Sequence, residues 1–335
     1  MLNHKVFYNI YAIKEDWMAL QDKGGLHTPF QEYEFMQRTW KFFYPYYLTE
    51  LCIAKFYCFY EDGECVMIVP ILHYPGKRRA ELFANVNGLN YCDVLVKDEK
   101  YIKPALALMA QDYDTLICNK VLSGSLLYSA VKDCLEVDKP STCVCIDFDS
   151  YEDYYSSLPK NMKSNLRNIY NRLKNDGISL ELKVFYGGSG FDYKPFIDLY
   201  CIRKHRQYNV RNNIFRKWFL LHQNFATRNF VDNSNGITFE LLFNGRLAAF
   251  ISGMKGPHDE YVLPRIAIEN DFYRYSPGIL LLIETIKYLA SESNVRHFDL
   301  SHGEESYKYW IGGKNHLTHN FKINLNKFQD ISLAY

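Results

Sequence analysis

Two dipeptides constrain this chain more than any other feature. Asp62-Gly63 lies between the apolar, β-prone segments Phe56–Tyr60 and Val66–Leu72, and Asn244-Gly245 lies between Ile237–Phe243 and Leu247–Met254. An Asx-Gly pair supplies the successive positive-φ positions that a tight, right-twisted hairpin needs, so each predicts two antiparallel strands. The elements downstream of the two hairpins correspond as well. After the first come strand-like Glu81–Val86 and Asp93–Val96, a helical stretch at Pro104–Ala110 and a strand at Thr115–Cys118. After the second come a strand at Glu260–Ile268, a helix from Pro277 to about Ala290 and a strand at Val295–Leu300. The halves share an order of elements without a residue-level repeat, which predicts a tandem duplication of one α/β unit and excludes a solenoid. The break is expected between Val137 and Ser150, where "DKPST" precedes the strand "CVCIDFD", giving domains at 1–145 and 146–335.

Composition supports two cores and narrows the partners. The chain has 335 residues, 48% of them apolar, enough to fill two hydrophobic interiors. Its 39 Lys and Arg balance 38 Asp and Glu, so no global charge draws it to nucleic acid, a membrane surface or an acidic polymer. The first residues lack the apolar core and cleavage site of a secretory signal, and the longest apolar run, Ile279–Ile283, is cut by Glu284 and is too short to span a bilayer. Nine cysteines without framework spacing suit a reducing compartment. A cytoplasmic protein without membrane insertion is expected. Between Lys160 and Lys174, Met162, Leu166, Ile169 and Leu173 share one face of a helix while Lys160, Lys163, Arg167 and Lys174 share another arc. That basic arc reads as a solvated face before it reads as a surface for coenzyme phosphates or tRNA.

The segment "IENDFYRYSPGILLLIETIKYLA" carries the clearest chemical signal. Ser276 suits the N-cap, its hydroxyl accepting from a first-turn amide, and Pro277 suits the first helical position, where no amide is needed. Gly278 then leaves the backbone open to a ligand, and the free amides and the positive end of the helix dipole suit an anion, most naturally a pyrophosphate. On these residues alone a capped helix with no ligand is the simpler reading; two neighbours shift the balance. Pro264 interrupts the strand "EYVLPRIAI", so that strand is expected to bulge or lose a pairing, opening a gap for an extended ligand arm. The next strand, "VRHFDLS", runs into "HGEESYKYW", which brings Asp299, His302, Glu304, Glu305, Tyr307 and Lys308 near the carboxyl ends of the strands, where α/β folds place ligands. His302 and the carboxylates are candidate proton acceptors and Tyr307 a candidate donor.

The stretches "AAFISG", "DFYRYSPGILLLIETIKYLA" and "FDLSHGEESYKYWIGG" resemble the CelD/BcsL-like GNAT acyltransferases associated with cellulose and exopolysaccharide biosynthesis, and more distantly the FemAB transferases. "YEDYYSSLPKNMKSNLRNIYNRL" looks like the entry to the same domain; "PFQEYEFMQRTW" and "NGLNYCDVLV" resemble the family's N-terminal region more weakly. The resemblance implies an α/β (α+β) fold of tandem GNAT-like domains, each a mixed, mainly antiparallel sheet flanked by helices, the first degenerate and the second binding the donor. It implies coenzyme A or acetyl-CoA as acyl-donor substrate and no metal. Pyrophosphate would lie at Arg274, Tyr275, Ser276, Pro277, Gly278, Ile279 and Leu280, and pantetheine along Arg265, Ile266, Ala267 and Ile268. This loop lacks the usual Gln/Arg-x-x-Gly-x-Gly/Ala form and has a single glycine. The first half has no Ser-Pro-Gly counterpart near Pro104 and is expected to shape the acceptor cleft without binding a second donor.

The expected reaction is acyl transfer, N- or O-linked, from acyl-CoA to an amine or hydroxyl of a small molecule or sugar precursor, with Tyr307 and Lys308 ahead of Glu304 and Glu305 as catalytic groups. Tyr307 would protonate the leaving thiolate while Lys308 holds negative charge near it. A FemAB-type aminoacyl-tRNA transferase and a non-catalytic GNAT-like binding protein are the alternatives. Other constellations read as structural. Cys201 and His205 share a helix face without a third group; His297, His302, His316 and His319 lack a cysteine pair for zinc; "YGGSG" at Tyr186–Gly190 lacks a P-loop's Lys-Ser/Thr.

Overall fold

The computed structural model describes residues 2–25, 28–42, 51–83, 89–208 and 224–333. In chain order its strands are β1 (Asn3–Phe7), β2 (Ile53–Glu61), β3 (Glu64–His73), β4 (Arg79–Leu82), β5 (Leu95–Val96), β6 (Thr115–Leu122) and β7 (Asp138–Asp147). Then come β8 (Leu180–Tyr186), β9 (Gly236–Phe243), β10 (Arg246–Lys255), β11 (Glu260–Ile268), β12 (His297–His302) and β13 (Lys314–Asn324). The chain divides into two compact units, 1–142 with 316–335, and 143–315. The tail, as β13, therefore folds with the first unit.

Both expected hairpins form. Asp62 and Gly63 have φ of 51° and 83°, and Asn244 and Gly245 have 50° and 76°, the left-handed pair that closes a two-residue turn. In the first unit β1 pairs β2, β2 pairs β3, β3 pairs β4 and the short β5, and β4 runs parallel to β6, with β13 antiparallel on β6's other side. The helix Ile102–Met109 closes this core with Ile102, Ala105, Leu106 and Met109 inward. Residues 84–86 of the expected strand Glu81–Val86 lie outside the described residues.

The second unit orders its sheet β7-β12-β11-β10-β9-β8. Among the described strands of this sheet only β11 and β12 run parallel. The helix Pro277–Glu292 covers one face: Leu280, Leu281, Leu282, Ile283, Ile286 and Leu289 are buried against Ile237, Phe239, Leu241 and Ile251. Each such aliphatic side chain contributes about 1.5–3 kcal/mol by leaving water. The basic helix, Lys160–Asn175, buries Met162, Leu166, Ile169 and Leu173 against the same core and leaves Lys160, Arg167 and Lys174 exposed. On the opposite face the helix Tyr193–Tyr208 packs Phe196 and Tyr200 beside Phe250 of β10.

The interruption at Pro264 takes a definite form. Ser252 of β10 is opposite Arg265, but Met254 is opposite Val262, so Leu263 and Pro264 together face Gly253. Gly253 permits this bulge because a Cβ there would lie 2.1 Å from the Val262 carbonyl oxygen. On its other side β11 pairs with β12 only over 260–262, against 297–299. Beyond Val262 the two strands part, and the second half of β11 loses a neighbour.

Candidate functional site

The parted strands open onto a cavity of about 440 Å³ within the second unit. One wall is the free edge of β11 at Ile266, Ala267 and Ile268; another is the start of the covering helix at Ser276, Pro277, Gly278 and Ile279. Tyr307 and Trp310, from the short helix Ser306–Trp310, form a third. Arg203 and Tyr273 complete the rim, and Leu282 reaches in from the second turn of the covering helix.

The helix start differs from expectation in one respect. Pro277 occupies its first position, but Ser276 precedes it in a left-handed conformation, φ 49° and ψ 52°, and its hydroxyl makes no capping hydrogen bond. Side-chain capping requires an extended N-cap backbone, and the tight turn Asn270–Tyr275 delivers Ser276 in the opposite conformation. The Ser276 carbonyl still accepts from the Leu280 amide at 3.1 Å, while the amides of Gly278 and Ile279 lie too early in the helix for an intrahelical acceptor. A Cβ on Gly278 would stand 3.1 Å from Ile268 Cγ2, so the glycine lets helix and strand approach closely at the cavity wall.

The preceding turn is anchored to the basic helix. The Arg172 guanidinium donates to the Arg274 carbonyl, Arg274 Nη2 lies 3.0 Å from Asp176 Oδ2, and the Tyr275 hydroxyl donates to the same oxygen at 2.7 Å. Arg274, Tyr275 and Leu280 support the wall and do not line the cavity.

Tyr307 faces the cavity, and burial, reinforced by Glu305, pushes its hydroxyl up to about 12 against the opposing charge of Arg203. It holds its proton through the physiological range. Arg203 donates to the Ile266 carbonyl, which fixes the guanidinium at the strand edge.

The other expected catalytic groups are not brought to the cavity. Lys308 is buried, and its ammonium donates to the carbonyls of Ser301 (3.2 Å), His302 (2.8 Å) and Gly303 (3.1 Å) and lies 3.2 Å from Glu305 Oε2. Ser301 and Gly303 have φ of 61° and 105°, a course that turns three consecutive carbonyls inward, and Lys308 satisfies them. Asp299 is buried and accepts from the Ser301 amide at 2.6 Å; His302 Nδ1 lies 3.2 Å from Cys143 Sγ; Glu304 and Glu305 are exposed. Arg265 is buried beside the cavity without lining it. The side chain of His205 lies outside the described residues. Among the described residues no group of three or more His, Cys, Asp or Glu is placed to hold a metal ion, and no helix is long and apolar enough to cross a membrane.

Sequence reasoning missed Arg203, Tyr273, Leu282 and Trp310. Trp310 had a usable signal, standing three residues from Tyr307 and so on the same helix face. Arg203 had none, being one of several basic residues in "CIRKHRQY".

Comparison with known proteins agrees with this architecture. Residues 160–309 match the family model described as acetyltransferase (GNAT) domain. No curated protein matches the sequence. Among solved structures, the chain is similar to FemX (TM-score 0.60, 10% identity, covering 98% of this chain and 100% of that one). It is also similar to a tandem GNAT protein from the clavulanic acid biosynthesis pathway (0.54, 14%, 97% and 99%). A third is the C-terminal domain of a putative lysylphosphatidylglycerol synthetase from Agrobacterium fabrum (0.55, 13%, 96% and 95%). At these identities the likeness is one of fold. The chain has a GNAT fold, a mixed sheet with flanking helices, and the residues that match the family model lie in its second unit.

Proposed function

We propose that the protein is an acyltransferase that moves an acyl group from acyl-coenzyme A to the amine, or hydroxyl, of a small molecule. The observation that carries this reading is the convergence on one cavity of an unpaired strand edge, a helix start with unused amides and a protonated tyrosine. Gly278 and Ile279 would take the pyrophosphate on their amides. Ile266 to Ile268 would bond an extended pantetheine arm along the edge that β12 leaves bare. The acceptor nitrogen would attack the thioester carbonyl carbon, the carbon–sulfur bond would break, and Tyr307 would give its proton to the departing sulfur and be reprotonated by the proton that the nitrogen sheds. Lys308 acts here as a positioning residue, holding the 301–303 turn and thereby Tyr307. The CelD/BcsL-like resemblance favours a sugar or polysaccharide precursor as one acceptor class and a cytoplasmic setting.

Calorimetric titration with coenzyme A and acetyl-CoA, followed by thiol release in the presence of amine acceptors, tests the reading. Saturable binding and acceptor-dependent release are expected. Failure of both ligands to bind, with salt-sensitive binding of aminoacyl-tRNA in their place, would overturn it in favour of a tRNA-dependent transferase.

A further inference from the structure

Arg265 is 7% exposed, and among the described residues no carboxylate pairs with it. Its guanidinium stands over two rings, with its central carbon 5.2 Å from the centroid of Tyr200 and 5.2 Å from that of Phe230. Its one hydrogen bond among the described residues runs from Nη1 to the Pro264 carbonyl at 3.2 Å. Nε is buried with no acceptor. Two rings thus pack on the cation, and the Pro264 carbonyl occupies one corner of its rim. What remains is the Nε–Nη2 edge, the pair of parallel N–H groups that matches two oxygens of a carboxylate.

A second donor lies alongside. Ser252 is opposite Arg265 in the β10–β11 register and fully buried, and its hydroxyl oxygen accepts from Thr238 Oγ1 at 3.0 Å. Its own proton has no acceptor among the described residues. Directly opposed residues in an antiparallel pair have Cα atoms about 4.5–5.5 Å apart and side chains on one face, so the serine hydroxyl and the guanidinium lie on the same side of the sheet. A buried cation without an anion is costly, and a row of donors without an acceptor adds to that cost. Ala267, two residues along and on the same face of the strand, lines the cavity, so this row begins one step from it.

We infer that Arg265 and Ser252 form a carboxylate subsite, and that the acceptor is a small amine bearing a carboxylate, held by that group with its nitrogen directed toward the cavity. The amine rests on the acyl-transfer reading above; the carboxylate site does not.

Binding is therefore measured without any donor, by titrating the full chain with free amino acids and short ω-amino acids and with their carboxamides, with coenzyme A titrated separately. At least one acid should bind, with its carboxamide about 10–100-fold weaker, the loss expected for a pair of charge-assisted hydrogen bonds. Arg265→Lys keeps charge and bulk but loses the planar fork, and should lose a similar factor with coenzyme A affinity unchanged. Arg265→Met should abolish carboxylate binding and raise the melting temperature of the unliganded protein by about 2–4 °C, because it removes an uncompensated buried charge. A structural arginine would instead lower it. The inference is overturned if no acid binds while coenzyme A does, if amides bind as well as acids, if Arg265→Lys binds like the parent, or if inorganic phosphate alone occupies the site. Arg265-dependent carboxylate binding without coenzyme A binding would uphold the subsite and defeat the donor reading.

Discussion

Gly278→Ala separates a ligand-binding helix start from one that is merely well formed. In the absence of ligand two effects nearly cancel. Alanine exceeds glycine in helix propensity by up to about 1 kcal/mol. Against this, the new Cβ would stand 3.1 Å from Ile268 Cγ2, so the isoleucine must give way by a few tenths of an ångström, at a cost of the same order. The melting temperature should therefore move by no more than about 2–3 °C in either direction. The methyl group, however, rises on the cavity wall beside the Gly278 and Ile279 amides. If those amides hold a pyrophosphate, displacing it from one or both forfeits about 1.5–3 kcal/mol, a 10–100-fold rise in the dissociation constant of coenzyme A. Calorimetric titration measures this directly, and dephospho-coenzyme A and pantetheine serve as controls. The penalty should persist for the former, which retains the pyrophosphate, and disappear for the latter, which lacks it. An unchanged affinity for coenzyme A in a folded Gly278→Ala protein would refute the assignment of the anion to this helix start.

Other substitutions test the remaining parts. Tyr307→Phe should lower turnover by about 100- to 10,000-fold while leaving coenzyme A affinity intact, and because the hydroxyl is pushed up to about 12, no tyrosine-linked loss of parent activity should occur below about pH 11. Lys308→Met leaves three inward carbonyls without a donor and should cost about 2–4 kcal/mol by chemical denaturation, lowering turnover through displacement of Tyr307. In the first unit Asp93 is 2% exposed and burial pushes its carboxyl from 3.8 up to about 7, against the hydrogen bonds of Ser125 and the Val94 amide. The unfolded chain releases that proton near 3.8 and the folded one near 7. Stability is thus fully present below pH 4 and declines as pH rises through 7, by a contribution on the order of 4 kcal/mol at most. Asp93→Asn should flatten that dependence in denaturation curves taken from pH 5 to 8.

How much of this was legible depends on where each constraint resides. The hairpins were legible because a two-residue turn needs positive φ at adjacent positions, and Asp62-Gly63 and Asn244-Gly245 tolerate it. Pro264 was legible because proline cannot donate to a ladder, although the sequence did not show that the bulge would set two residues against Gly253. Lys308 was misleading. Proximity to a strand's carboxyl end says nothing about side-chain direction, and the turn at Ser301–Gly303, with its inward carbonyls, decides it. The return of residues 316–335 to the first unit depends on pairing between β13 and β6, Thr318 with Leu122 through Asn324 with Thr115, whose partners lie some two hundred positions apart. Local periodicity carries no trace of such a pairing.

The same distinction explains why Arg265 escaped a role of its own. On the sequence it is one polar residue in "EYVLPRIAI", and its backbone was the only part with an assignment. Its chemistry arises from two rings contributed by the helices Tyr193–Tyr208 and 224–231, and from the bulge that brings it opposite Ser252. Without the extra residue in β11, the register would shift by one and turn the guanidinium to the other face of the sheet, toward the covering helix. One proline-containing bulge therefore does two things. It parts β11 from β12 on one side, and on the other it sets the face on which a buried cation awaits an anion.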